Sequence, residues 1–171
     1  MEKTLQMYSE TQGDLFKYVE QNTEKIIVIP HIVNNKNAFG AGFVMPLMKL
    51  YPESKKRYHE HEYFRHLSRV QYIPCQNHGD NFSKKRNVII ANMCAQTLGG
   101  ERPLFYNALS KCMDDVARAV DSLMCESGKI PVEIVCPKFG SALAGGNWEF
   151  IKELINDCWI RSGLTVKVFY L

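Results

Sequence analysis

Residues 25–50 decide the fold of this chain, and they read KIIVIPHIVNNKNAFGAGFVMPLMKL (Lys25–Leu50). The run Ile26–Ile29 is apolar at every position and mostly β-branched, which is typical of a short strand buried on both faces. A polar loop is predicted after it, and this loop carries Asn34, Asn35 and Asn37. The stretch therefore predicts a buried strand that opens directly into a polar loop.

The loop ends in Gly40-Ala41-Gly42, and an amphipathic helix is predicted from about Gly42 to the Tyr51-Pro52 pair. A strand, a glycine loop and a helix N-terminus together direct backbone N–H groups and the positive end of the helix dipole toward an anion. A single Gly-x-Gly is equally consistent with a plain structural turn.

The same pattern occurs a second time. Val132–Pro137 is β-rich, Lys138–Asn147 is a glycine-containing loop, and a helix is predicted from Trp148 with Asn147 as its N-cap. Two glycine loops at the carboxyl ends of parallel strands would hold a diphosphate from both sides, in the crevice where open α/β sheets bind ligands. The sequence therefore predicts a phosphate-containing ligand.

Strands and helices alternate through the rest of the chain. Strands are predicted at Thr4–Tyr8, Val70–Cys75, Asn87–Ala91 and Leu164–Leu171, and helices at Glu53–His66 and Phe105–Glu126. This order predicts one α/β domain over residues 1–171, with helices on both sides of a mixed sheet.

Two polar segments lie between these elements. Gln76–Asn87 is predicted to be a connection with a hairpin-like Gly79-Asp80, and its Lys84–Arg86 run is either a solvated face or a segment that steers phosphates. Asn92 and Gln96 follow the predicted end of a strand, where they would contact a ligand or make loop hydrogen bonds.

Composition narrows the possible functions. The 171 residues are 46% hydrophobic and 23% charged, as in an ordinary globular protein, and the formal net charge of +3 is too small for a nucleic-acid binder. We expect a cytoplasmic protein, because no apolar run has transmembrane length and the first residues do not form a signal peptide. The six cysteines are dispersed and form no Cys-x-x-Cys pair, so we expect no disulfide framework and no structural zinc site. His59-x-His61 near glutamates suggests a metal site, but in a solvated helix these neighbouring positions point apart, so we expect no metal there. We also expect no cofactor.

Short motifs occur in a characteristic order along almost the whole chain. They are Gly13–Leu15, Phe39–Val44, Ile90–Met93 with Gln96, Tyr106–Leu109, Pro137–Trp148 and Val168–Leu171. Together they resemble the macro domain, the ADP-ribose-binding module. They are most similar to its bacterial and phage members and to the branch of ADP-ribosyl-glutamate hydrolases and ADP-ribose-1''-phosphate phosphatases. The resemblance implies a three-layer α/β/α fold with a mixed, mostly parallel central sheet.

The resemblance also implies how ADP-ribose would lie. Asp14 would bind the exocyclic amine of adenine, and the glycine loops would hold the diphosphate. The terminal ribose would lie near Asn34, Asn35 and Asn92. The complete set of expected ligand-binding residues is Asp14, Leu15, Gly40, Ala41, Gly42, Phe43, Met93, Gln96, Gly140, Ser141, Ala142, Leu143, Ala144, Gly145, Gly146 and Trp148.

Two of these residues have an alternative interpretation from the residues alone. Asp14 follows a glycine, so it is also interpretable as a turn or capping carboxylate. Trp148 begins an apolar helical stripe, so it is also interpretable as a core residue.

Catalysis in the glutamate-hydrolase branch resembles covalent chemistry by a lysine, which corresponds to Asn92 here, with an aspartate that corresponds to Ala144. Neither an amide nor a methyl group can replace these residues, so we expect no lysine adduct. The candidate catalytic residues are then His31, Asn34, Asn35 and Asn92, which would orient a water molecule. His31 is alternatively a buried structural histidine.

Three functions stay open at this point. The first is an enzyme that removes phosphate or an attached group from an ADP-ribose derivative, the second a non-catalytic ADP-ribose reader, and the third a protein with a vestigial pocket. The expected partner is ADP-ribose or a molecule that contains it. We expect a monomer that binds no membrane, and nucleic acid only as an ADP-ribosylated substrate.

Overall fold

The computed structural model describes residues 7–76 and 87–171. Within them, six strands form a sheet of order β1-β6-β5-β2-β4-β3. β3 is antiparallel to β4, and all other neighbouring strands are parallel. The strands are β1 Tyr8–Gln12, β2 Ile26–Asn34, β3 Val70–Cys75, β4 Val88–Gln96, β5 Val132–Pro137 and β6 Thr165–Tyr170. The predicted mixed, mostly parallel sheet is confirmed.

In the described ranges, five α-helices connect the strands: α1 Leu15–Gln21, α2 Val44–Leu50, α3 Pro52–Glu60, α4 Tyr106–Ser127 and α5 Trp148–Ile155. A 3₁₀ turn at Glu62–Phe64 follows α3, and a π-helical turn at Asn156–Ile160 extends α5. The predicted N-cap of α5 is confirmed, since the side chain of Asn147 accepts a hydrogen bond from the Phe150 N–H. Among these described helices, none has the length and apolar character needed to cross a membrane.

The helices cover both faces of the sheet. α4 and α5 pack on one face around Met113 and Trp159. α1, α2 and α3 pack on the other face around Leu47 and Tyr58. The buried indole of Trp159 donates a hydrogen bond to the Met113 carbonyl at 2.9 Å, so this polar group is satisfied inside the core. The expected three-layer arrangement is therefore present.

The ends of two strands correct the sequence analysis. β2 continues to Asn34 rather than ending at Ile29, and β4 continues to Gln96 rather than ending at Ala91. Asn92 is tolerated inside β4 because its side chain hydrogen-bonds His31 on β2 and Gln71 on β3. Asn34, the last residue of β2, instead hydrogen-bonds the loop that follows it. Asn92 therefore lies within β4 and not after it.

Parts of two predicted segments lie outside the described residues. These are residues 4–6 of the first predicted strand, and Gly79-Asp80 with Lys84–Arg86 in the predicted connection. The first strand of the structure is β1, which forms one edge of the sheet beside β6.

Candidate functional site

Two adjoining cavities lie at the edge of the sheet where the parallel strands end. The inner cavity has a volume of about 500 Å³ and lies between the β2–α2 loop, the end of β4 and the β5–α5 loop. The outer cavity, of about 460 Å³, lies between the start of α1 and the end of β6. Both are lined by Gly42, Phe43, Pro137 and Lys138. The cavities therefore form one crevice that suits an elongated ligand.

Glycines shape the two loops beside the inner cavity. Gly42 has φ +72° and Gly140 has φ +78°, a left-handed conformation that other residues adopt at a cost. A Cβ on Gly146 would lie 2.4 Å from the carbonyl oxygen of Gly140, and a Cβ on Gly145 would lie 2.4 Å from that of Glu101. The β5–α5 loop thus folds closely against backbone in a way that a side chain would prevent.

The two loops beside the crevice carry backbone N–H groups without a hydrogen-bond partner. The N–H groups of residues 40–43 and 141–144 have no acceptor within the part of the chain that the structure describes. The loops approach each other, because a Cβ on Gly42 would lie 3.5 Å from Cδ1 of Leu143. Such N–H groups need water or ligand acceptors, and successive backbone donors of this kind favour an anion.

Charged side chains contribute little to the attraction of an anion into the crevice. Lys138 lines both cavities, but its ammonium lies 3.8 Å from the Glu10 carboxylate and 4.3 Å from the centroid of the Tyr170 ring. Burial lowers the pKa of His31 to about 4, although its hydrogen bond with Asn92 opposes this shift. The imidazole is therefore neutral at pH 7, and backbone dipoles supply the attraction for an anion. No cluster of three metal-ligating side chains occurs among residues 7–76 and 87–171.

The outer cavity combines flat apolar walls with one carboxylate. The rings of Phe16 and Phe43 stack with centroids 5.6 Å apart at an angle of 12°. Asp14 also lines this cavity, and its Oδ1 accepts a hydrogen bond from the Phe16 N–H at 2.9 Å as the N-cap of α1. Both interpretations of Asp14 thus have a structural basis. The combination suits a planar heterocycle with an exocyclic amine.

Asn34 shapes the loop that follows β2. Its Oδ1 accepts hydrogen bonds from the Lys36 and Ala38 N–H groups at 3.0 and 3.2 Å and from the Tyr58 hydroxyl at 2.8 Å. Its amide donates to the Ala38 carbonyl at 2.7 Å. The side chain of Asn34 is therefore fully engaged in holding this loop, although the residue lines the inner cavity.

The crevice brings together most of the residues predicted from the sequence. The predicted residues that line it are Asp14, Leu15, His31, Asn34, Gly40, Ala41, Gly42, Phe43, Gln96, Gly140, Ala142, Leu143 and Ala144. The predicted residues that do not line either cavity are Asn35, Asn92, Met93, Ser141, Gly145, Gly146 and Trp148.

Three of the predicted residues that do not line the cavities make contacts elsewhere in the fold. Asn92 is 1% exposed and hydrogen-bonds His31, and Met93 is completely buried in the core. Both lie inside β4, so the expectation that Asn92 follows the strand end is wrong, and Gln96 is the β4 residue that reaches the cavity. Trp148 packs against Phe139, and its indole donates to the Glu10 carboxylate at 3.0 Å.

Sequence reasoning missed the third loop of the inner cavity, residues 98–100. Leu98, Gly99 and Gly100 line the cavity, and both glycines have positive φ. A bridge between Gln96 and Leu104 holds the two ends of this segment together. The Gly-Gly pair directly after β4 was the available signal, since it occupies the same edge of the sheet as the other two glycine loops.

No protein-family model and no curated protein sequence matches the chain. Several solved structures, however, are similar to the chain. A macrodomain protein from Streptomyces coelicolor is 25% identical, with a TM-score of 0.74 over 96% of this chain and 99% of that chain. A protein of unknown function from Bacteroides thetaiotaomicron is 24% identical, with a TM-score of 0.75 over 96% and 98% of the two chains.

A structure of Thermosipho africanus DarTG in complex with ADP-ribose is also similar. It is 13% identical, with a TM-score of 0.72 over 96% of this chain and 41% of that chain. The fold of this chain is therefore that of the macrodomains, with the crevice at the carboxyl edge of its central sheet.

Proposed function

We propose that this chain binds ADP-ribose, either free or attached to a macromolecule, in the crevice formed by the two cavities. The carrying observation is the pair of facing loops at residues 40–43 and 141–144, whose N–H groups have no acceptor among the described residues. These loops adjoin an aromatic cavity with a carboxylate on one side and a cavity of strand-end residues on the other. The ADP-ribose in the similar Thermosipho africanus DarTG structure supports the proposal.

ADP-ribose carries its chemical groups in the matching order. In this arrangement the adenine lies in the outer cavity against Phe16 and Phe43, with its exocyclic amine donating to Asp14. The diphosphate crosses the junction at Gly42, between the two loops whose N–H groups have no acceptor among the described residues. The terminal ribose then enters the inner cavity beside His31 and Gln96.

A second candidate function is hydrolysis of an ADP-ribose derivative, of the ADP-ribose-1''-phosphate phosphatase or ADP-ribosyl hydrolase type. The inner cavity favours it, because the cavity extends beyond the loops to the ends of β2 and β4 and leaves room for a group on the terminal ribose. Backbone N–H groups could stabilise charge that develops on such a group. A lysine adduct is not part of this proposal, since Asn92 is buried and Ala144 carries only a methyl group.

Calorimetric titration with ADP-ribose, ADP and AMP tests the binding proposal. We expect a Kd near 1 μM for ADP-ribose, about −8 kcal/mol. AMP should bind at least tenfold more weakly because it lacks the second phosphate and the terminal ribose. Equal affinities for AMP and ADP-ribose would contradict the arrangement at Gly42.

Turnover requires a separate assay. Pure protein is incubated with ADP-ribose 1''-phosphate and with mono-ADP-ribosylated protein, and released phosphate and ADP-ribose are quantified. Release with no borohydride-trapped adduct supports hydrolysis by an oriented water molecule. Binding without release leaves the chain a reader.

A further inference from the structure

The carboxylate of Glu10, on the edge strand β1, is contacted by four side chains. Its Oε1 accepts hydrogen bonds from the Tyr8 hydroxyl at 2.6 Å and from the Trp148 indole N–H at 3.0 Å. The ammonium groups of Lys138 and Lys152 each lie 3.8 Å from a carboxylate oxygen of Glu10. Partial burial acts to raise the pKa of Glu10, but the two hydrogen bonds and the two ammonium groups outweigh it and lower this pKa. The carboxylate is therefore ionised at pH 7.

Three of these four side chains flank the β5–α5 loop, residues 138–147. Lys138 is the first residue of the loop, and Trp148 and Lys152 lie in the first two turns of α5, directly after it. The loop contributes Gly140 and residues 142–144 to the wall of the inner cavity. A single carboxylate on β1 therefore contacts both sides of a loop that forms part of the crevice.

The hydrogen bond from Trp148 is the stronger part of this connection. The side chains of the two ion pairs are 25–34% exposed, so water screens their charges. The indole N–H instead donates to an ionised acceptor at normal hydrogen-bond length. This bond fixes the rotation of the Trp148 ring, which packs edge-on against Phe139 with centroids 6.2 Å apart. Phe139 belongs to the loop, is buried and lines the inner cavity.

We propose that Glu10 and Trp148 are positioning residues, whose hydrogen bond holds the β5–α5 loop in the conformation that binds a diphosphate. Neither residue lines a cavity, so their effect on a ligand is transmitted by the loop. This role rests on the proposed function, because the N–H groups of residues 141–144 are the proposed diphosphate donors. Donors that are already ordered bind an anion more tightly, since binding then carries no further cost of ordering the loop.

Four single substitutions separate the parts of this cluster. Trp148→Phe removes the indole donor and keeps an aromatic ring beside Phe139. Glu10→Ala removes the acceptor, whereas Glu10→Gln keeps an amide oxygen in its place without the charge. Tyr8→Phe is the matched control, because it removes the other hydrogen bond to the same oxygen and leaves the bond from Trp148 in place.

Calorimetric titration with ADP-ribose gives the first readout. We expect Trp148→Phe and Glu10→Ala to bind about tenfold more weakly, and Glu10→Gln and Tyr8→Phe to stay within about threefold of the unsubstituted protein. The double variant Glu10→Ala/Trp148→Phe should lose no more than either single variant, because both remove the same hydrogen bond. Unchanged affinity in Trp148→Phe, an equal loss in Tyr8→Phe, or no recovery in Glu10→Gln overturns the proposal.

Hydrogen exchange in the ligand-free protein gives a second readout. The N–H groups of Gly145 and Gly146 donate to carbonyl oxygens of the same loop at 3.1 and 2.7 Å, so their exchange rates report on the order of the loop. These rates should rise about tenfold in the two variants that lose the Trp148 bond, while rates in the core of α4 stay unchanged.

The exchange measurement separates this proposal from the proposed function. Unchanged exchange at Gly145 and Gly146, or faster exchange throughout the protein, overturns the positioning role, because the second result indicates only a general loss of stability. Absence of ADP-ribose binding by the unsubstituted protein instead refutes the proposed function.

Discussion

Gly42→Glu tests the junction of the two cavities most directly. Gly42 has φ +72° and lines both cavities, and a Cβ there would lie 3.5 Å from Leu143 on the facing loop. A glutamate would therefore place its side chain across the gap between the loops. Its carboxylate would lie where the diphosphate of ADP-ribose is proposed to bind.

Gly42→Glu has two energetic costs. One lowers the free energy of unfolding, and the other lowers the affinity for ADP-ribose. A side chain at positive φ destabilises the fold by about 1–2 kcal/mol. Two like charges about 4 Å apart at an effective dielectric constant near 20 repel by about 4 kcal/mol, which corresponds to roughly a thousandfold loss of affinity. Steric exclusion of the ligand adds to the second cost.

Gly163→Glu is the matched control. Gly163 has φ +85° and open space around its Cβ position, and it precedes β6 at the edge of the sheet opposite the crevice. Urea unfolding should show a similar loss of stability in both variants. Calorimetry should show loss of ADP-ribose binding only in Gly42→Glu. A folded Gly42→Glu protein with the affinity of Gly163→Glu would refute the placement of the diphosphate.

Three further predictions concern single residues. Asp14→Ser should keep the cap of α1, leaving the free energy of unfolding within about 0.5 kcal/mol, yet weaken ADP-ribose binding about tenfold in calorimetry by removing the charged acceptor. The buried, neutral His31 makes the free energy of unfolding depend on pH. Above pH 6.5 His31 is neutral in both the folded and the unfolded chain. As the pH falls toward 4, the free energy of unfolding decreases, because the unfolded chain takes up a proton at His31 that the folded chain excludes. This loss is about 3 kcal/mol, and urea unfolding of His31→Asn should lack it. Gly146→Ala should lower the unfolding free energy by about 1–3 kcal/mol, measured in the same way, because its Cβ would lie 2.4 Å from the Gly140 carbonyl oxygen.

The prediction for Asp14 differs from what its position in the sequence suggests. A ligand-binding carboxylate in a turn could be removed without loss of stability. In the structure the Asp14 side chain also caps α1, so Asp14→Ala would change stability and affinity together. Serine is the informative substitution because it retains a capping oxygen without the charge.

The sequence by itself determined the elements and the edge of the sheet at which the crevice lies. Apolar runs of strand length, helical stripes and two glycine loops after strands are local signals, and each depends on neighbouring residues along the chain. The order of these elements was then sufficient for a mixed sheet with helices on both sides, and the resemblance to the macro domain implied that this sheet is mostly parallel. The loops at Gly42 and Gly140 lie where this reasoning placed them.

Only the tertiary structure decided which polar residues face the crevice. The bonds of His31 with Asn92 and of Asn92 with Gln71 join residues 61 and 21 positions apart. They depend on the register of three strands, and no local pattern encodes that register. Asn92 suggested a loop in the sequence for the same reason, because its hydrogen-bond partners lie on the neighbouring strands β2 and β3 and on α3.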